Sequence, residues 1–160
     1  MSFKRRGAPI HGWLVVDKPA GMTSAGAVAK VRRLTGAAKV GHAGTLDPLA
    51  TGVLPLALGE ATKTVAYVMD ESKDYHFTVR WGEGRATDDA EGELTEICDL
   101  RPTDEEIVMV LTTFTGEIFQ VPPVFSAVKV NGRRAYALAR SRKPVELEAR
   151  PVSIERFELL

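Results

Sequence analysis

This sequence has almost no cysteine, no long apolar run and no net charge. Cys98 is the one cysteine among 160 residues, so neither an intramolecular disulfide nor a Cys-rich zinc module is available. The longest mostly apolar stretch, residues 46–59, contains Asp47 and is broken by Pro48, Gly52 and Pro55, and no segment is built to span a bilayer. No leader-like segment precedes the first expected strand, so a soluble, cytoplasmic protein is expected. Phosphate-cradling loops of the forms GxxxxGK[ST] and GxGxxG are also missing, which argues against a nucleotide site of either kind.

What charge there is falls unevenly. Lys and Arg number 21, as do Asp and Glu, yet residues 1–64 carry nine bases against Asp17, Asp47 and Glu60. Residues 65–106 carry four bases against thirteen acids, and residues 107–160 eight against five. Two basic segments therefore flank an acidic one. They can form one basic face towards a polyanion, or solvated faces of separate elements.

The apolar pattern interleaves strands and helices. Residues 1–10 open on Lys4, Arg5 and Arg6 without an apolar period and read as a basic arm, either a solubilising terminus or a phosphate-contacting tail. Gly12–Val16 is a buried-strand run. Thr23 or Ser24 starts a helix to about Thr35 through Ala27, Val28, Val31 and Leu34, with Gly36 at its end. Residues 36–59 are too glycine-rich for a helix, apart from a short strand at Val53–Leu58. Glu60–Met69 is expected to be helical. Tyr75, Phe77, Val79 and Trp81 alternate with polar residues, the clearest period-2 strand in the chain. An acidic loop, Glu83–Glu93, is read as a solvated turn and leads to a strand near Leu94–Cys98. Thr103 and Glu106 form a capping box for a helix through Phe114, stopped by Gly116. Strand patterns recur at Glu117–Val121, Val124–Val130 and Pro151–Leu160, with a helix at Arg134–Arg142. The class is α/β or α+β with a mixed sheet.

Gly41–Gly52, GHAGTLDPLATG, carries the chemistry. Glycines at 41 and 44 allow close approach to the backbone. Pro48 drives Asp47 towards an extended conformation, which fixes one carboxylate within an otherwise apolar stretch, with His42 five residues upstream. An Asp before Pro is also a common turn-maker. His42 and Asp47 alone are a weak metal set. Ser24 or Ser126 lacks the nucleophile elbow of a hydrolase. A lone reactive carboxylate needing no cofactor and no metal remains.

That loop closely resembles the signature of the TruB family of tRNA pseudouridine synthases, and further matches follow in order along residues 11–160. Asp17-Lys18-Pro19 with Gly21–Ser24 resembles the family's Lys-Pro motif, and Gly59–Lys63 the segment after the loop. Lys73-Asp74-Tyr75 resembles its tyrosine-bearing strand, and Ser126–Lys129 through Tyr136 and Ala139-Arg140 its RNA-gripping thumb. The Leu49-Ala50 pair favours the bacterial tRNA enzyme over relatives in guide-RNA complexes.

The resemblance implies an α+β fold with a mixed, mainly antiparallel sheet flanked by helices, and a thumb at about residues 122–150. It implies isomerisation of uridine 55 in the T-arm loop of tRNA. Asp47 falls on the catalytic aspartate, as covalent nucleophile or as base. Tyr75 falls on the tyrosine that stacks on the target base, although an inward aromatic on an alternating strand is usually core. His42 matches the histidine that fills the space of the flipped uridine. Lys18 either contacts RNA or supports the loop. Lys129, Arg133, Arg134, Arg140, Arg142 and Lys143 are placed to meet phosphates. No cofactor, membrane or obligate protein partner is implied.

The resemblance departs at the end. Phe157–Leu160 finishes on an apolar strand pattern with no polar tail, and family members are about twice as long. The expectation is an N-terminal catalytic portion lacking the arginine that pairs with the aspartate. Exposed sheet edges are then open to dimerisation. An RNA-binding fragment without turnover is the alternative to an active enzyme, and a metal-independent hydrolase using His42 and Asp47 is a weaker third reading.

Overall fold

The computed structural model describes residues 7–123, 129–130, 133–134 and 147–160. The chain divides into two compact units, residues 1–76 and 77–160.

The first unit is built on strands β1 (Gly12–Lys18), β2 (Val40–His42) and β3 (Gly52–Leu58), with helix α1 (Ser24–Thr35) between β1 and β2. The antiparallel sheet has the order β1-β3-β2, with Lys18 opposite Gly52 and His42 opposite Leu56. Alternation along β3 buries Leu54 and Leu56, and Ala27 of α1 joins them in a core edged by Val16, Met22, Val28, Val31, Val40 and Leu46. Local chemistry fixes the ends of α1. The Thr23 hydroxyl accepts the Gly26 N–H at 2.9 Å, and Gly36 adopts φ 68°, a left-handed stop that glycine enters without cost. Leu34, although at helical spacing, is exposed. The expected helix over 60–69 divides into a 3-10 turn at Gly59–Lys63 and helix α2 (Val65–Met69). The break falls at Thr64, whose N–H and hydroxyl both donate to the Ala61 carbonyl and so tighten the chain to i→i−3 bonding.

The second unit holds strands β4 (Glu83–Arg85) and β5 (Leu94–Ile97), helix α3 (Asp104–Leu111), and strands β6 (Gly116–Gln120), β7 (Lys129–Val130), β8 (Arg133–Arg134) and β9 (Arg150–Ile154). They pair antiparallel as β4-β5, β6-β9 and β7-β8. Across the described residues the named strands pair antiparallel, and a parallel contact appears as the bridge Ala8–Ala37. The first part of the expected acidic loop, Glu83–Arg85, is a strand, and the loop itself is the hairpin tip between β4 and β5. Thr103 and Glu106 cap α3 reciprocally, as the sequence indicates, but α3 gives way to a 3-10 turn at Thr112–Phe114 before Gly116.

The period-2 segment Tyr75–Trp81 belongs to no ladder among the described residues. Alternation supplies one strand's side-chain pattern but not the neighbour whose N–H and C=O groups it needs. Phe77 instead sits 5.9 Å from Phe157 between ring centroids, and Phe157 sits 6.5 Å from Phe114, so three aromatics gather at the end of α3. The expected strand at 151–160 is realised as β9 only as far as Ile154. Arg134, expected to start a helix, belongs to β8, and residues 135–142 lie outside the described residues.

Candidate active site

Asp47 is exposed, on the loop between β2 and β3, and its backbone is held on both sides. Its own carbonyl accepts the Ala50 N–H at 3.1 Å, closing a turn with Pro48 in second position. The turn-making reading of an Asp-Pro pair is therefore true of this residue, and it leaves the carboxylate facing solvent. Upstream, the Leu46 N–H donates to Ser24 Oγ, and that hydroxyl donates to the Leu46 carbonyl, both at 3.0 Å. Downstream, the Pro48 carbonyl accepts the Gly21 N–H at 2.8 Å.

Lys18 closes the arrangement. It is the last residue of β1 and only 1% exposed. Its Nζ donates to the carbonyls of Met22 at 2.8 Å and Pro19 at 3.1 Å, and reaches that of Pro48 at 3.5 Å. A buried ammonium needs its donors filled, and these three carbonyls fill them. The segment 18–24 and the Asp47 loop are thus one hydrogen-bonded body.

His42 ends β2, half-buried, with Nδ1 against the Gly44 carbonyl. That contact places the proton on Nδ1 and, in the neutral ring, leaves Nε2 as an acceptor. Gly44 takes φ 101°, a conformation that glycine supplies. The Ala43 N–H donates to the Pro55 carbonyl at 2.9 Å, so the sheet carries the chain one residue past His42 before the loop departs.

Tyr75 is 70% exposed, so the reading of it as core does not hold. Among the described residues no hydrogen bond joins it to the Asp47 loop. Of the candidate RNA contacts, Lys129 lies in β7 and Arg133 and Arg134 in β8, while Arg140, Arg142 and Lys143 lie outside the described residues. The sequence offers Ser24 as a possible helix start and as a candidate nucleophile without an elbow, but not as a partner of Leu46; its position inside the Lys-Pro motif is the signal of a further task. No group of three or more His, Cys, Asp or Glu able to hold a metal occurs among the described residues. Among them, too, no helix is long and apolar enough to cross a membrane.

The first unit also carries a groove of about 740 Å³ lined by Arg32, Lys39 and Lys63 together with His11 and Glu60. The Glu60 N–H donates to His11 Nδ1 at 3.0 Å, and the Glu60 carboxylate pairs with Lys63. Hydrogen bonding and charge from Lys63 hold that carboxyl below the usual range. Part of the basic surplus of residues 1–64 is gathered here.

Comparison with known proteins places these residues in context. Residues 32–160 match the model of the TruB family pseudouridylate synthase N-terminal domain. A tRNA pseudouridine synthase B of Rhodospirillum rubrum is 59% identical over 160 residues, covering 100% of this chain and 52% of the relative. One of Ruegeria pomeroyi is 62% identical, again over 100% of this chain and 53% of the relative. A crystal structure of a Cbf5-Nop10-Gar1 complex aligns with a TM-score of 0.50 and 31% identity, over 74% of this chain and 31% of that one. The chain spans about half the length of the curated relatives it matches.

Proposed function

Since this chain belongs to the TruB family of pseudouridylate synthases, we propose that it provides the catalytic loop of a tRNA pseudouridine synthase acting on uridine 55 of the T-arm loop. One observation carries the reading. Asp47 is a solvent-facing carboxylate on a backbone pinned at Leu46 and at Pro48. Pinning of this kind turns a flexible loop into a fixed reagent, because the substrate meets a carboxylate whose approach angle is already set.

The reaction breaks the N1–C1′ bond of uridine, turns the uracil within the site and joins C5 to C1′. The proton leaves C5, and N1 ends protonated, so no atom is gained or lost. A carboxylate serves in two ways, by attacking covalently or by removing a proton at the sugar. In this reading His42 occupies the space of the extruded base, which offsets part of the lost stacking. Tyr75 supplies a ring for the uracil to stack on. Lys18 acts on the loop, since its donors are taken up by carbonyls. Lys129, Arg133, Arg134, Arg140, Arg142 and Lys143 grip the phosphates of the T-arm.

Pseudouridine formation on T-arm RNA tests the proposal. Asp47→Asn in the full-length protein is expected to abolish turnover while leaving RNA binding intact, and turnover that survives the substitution overturns it. The same assay on residues 1–160 alone separates an active enzyme from a fragment that binds RNA without turnover.

A further inference from the structure

The link between the catalytic loop and α1 is made by a hydroxyl that caps no helix. Thr23 caps α1, so the hydroxyl of Ser24 in the first helical position is released from that duty. Ser24 is 4% exposed, and its Oγ both accepts the N–H and donates to the C=O of Leu46. A hydroxyl bonded both ways to one residue substitutes for a β-ladder partner. It fixes both peptide planes flanking the Leu46 Cα, and so the direction in which the chain enters Asp47. On the other side of Asp47, Gly21 and Lys18 hold the Pro48 carbonyl.

We propose that Ser24 is a positioning residue for Asp47, acting through the Leu46 backbone without touching the substrate; this rests on the reading of Asp47 as the catalytic carboxylate. Pro48 keeps its bonds from Gly21 and Lys18 when the hydroxyl is lost, so the loop stays attached to the segment 18–24. Removing the hydroxyl therefore leaves the fold in place and frees the angle of the loop. Small displacements of a reacting group cost large factors in rate, whereas substrate affinity depends on contacts elsewhere.

The test is steady-state and single-turnover pseudouridine formation by the full-length protein with Ser24→Ala, Ser24→Cys and Asp47→Asn in parallel. Ser24→Ala is expected to lower kcat by about 10²-fold with KM for tRNA held within about twofold. Ser24→Cys keeps the volume but offers a weak S–H donor, and should fall between the two. If the Ala variant folds poorly, the single-turnover rate of its folded fraction decides. A wild-type rate for Ser24→Ala, with Asp47→Asn inactive, overturns the positioning role and leaves the Asp47 reading standing. A rise in KM at unchanged kcat also overturns it, since that marks an RNA contact. An active Asp47→Asn overturns the parent reading and this one with it.

Discussion

Lys18 and Pro48 meet across thirty residues of chain, the lysine ammonium 3.5 Å from the proline carbonyl that already accepts the Gly21 N–H at 2.8 Å. The ammonium also holds the carbonyls of Pro19 and Met22, and is buried with them. Lys18→Met keeps much of the stem but leaves those carbonyls without a charged donor. The expected loss is about 1–3 kcal/mol of stability, read as a lower urea midpoint. Lys18→Arg should not restore it, because a planar guanidinium does not present its donors as an ammonium does. An unchanged midpoint in Lys18→Met would remove the lysine from the loop's support.

Binding of tRNA should be carried by distributed cations. Charge reversal at Arg133 and Arg134 is expected to weaken binding and to reduce the dependence of log K on log salt by about 0.7–0.9 per lost phosphate contact. Arg32→Glu with Lys39→Glu tests the basic groove of the first unit in the same way. Filter binding across a salt series gives both slopes. A pair that weakens binding without changing the slope acts through folding, and one that changes neither lies off the RNA path.

The parts of this molecule that local chemistry decides were legible in the sequence. Thr23 and Gly36 bound α1 and Thr103 and Glu106 start α3, both from interactions within a few residues, and the apolar run at residues 53–58 falls within the strand β3. The Asp-Pro turn belongs to the same class. What escaped is long-range. Nothing in a 22-residue separation announces that Ser24 will bond Leu46. The alternation from Tyr75 to Trp81 is as clear as any in the chain, yet a pattern describes one strand and a ladder requires two. Lys18 was ambiguous for the same reason, since its role depends on carbonyls that only the folded loop brings together.

The β4–β5 hairpin tip should loosen in acid. Asp89 Oδ1 accepts the Thr87 hydroxyl at 2.5 Å and the Glu91 N–H at 2.9 Å. The Thr87 bond is the largest influence holding its carboxyl below the usual range, with backbone N–H groups of Glu91 and Gly92 adding to it. A folded pKa below the unfolded value, about 3.9, means that this stabilisation is complete above the unfolded value. It is lost as pH falls through the folded one. Protection of the Glu91 amide, taken relative to its intrinsic exchange rate, should therefore fall at the acid end, and Asp89→Asn should flatten that pH dependence. A Glu91 amide whose protection ignores pH in both proteins would contradict this account.

Gly59 should tolerate no side chain. It joins β3 to the 3-10 turn at φ +55°, where a Cβ would lie 2.1 Å from His11 Nδ1 and 2.4 Å from the Ile10 carbonyl. The His11 ring can swing aside, but the Ile10 carbonyl is backbone and belongs to the approach to β1. The left-handed conformation alone costs a non-glycine residue about 1–2 kcal/mol, and the clash adds to it. Displacing residues 10–11 would also break the bond from the Glu60 N–H to His11 and open the groove beside Lys39 and Lys63. Gly59→Ala is thus expected to lower the urea midpoint by more than Ala substitution at Gly36, which shares the left-handed conformation at φ +68° but has no atom within 4 Å of the built Cβ. Comparing the two variants separates the contact from the backbone strain, and equal losses would mean that the His11–Ile10 contact contributes nothing.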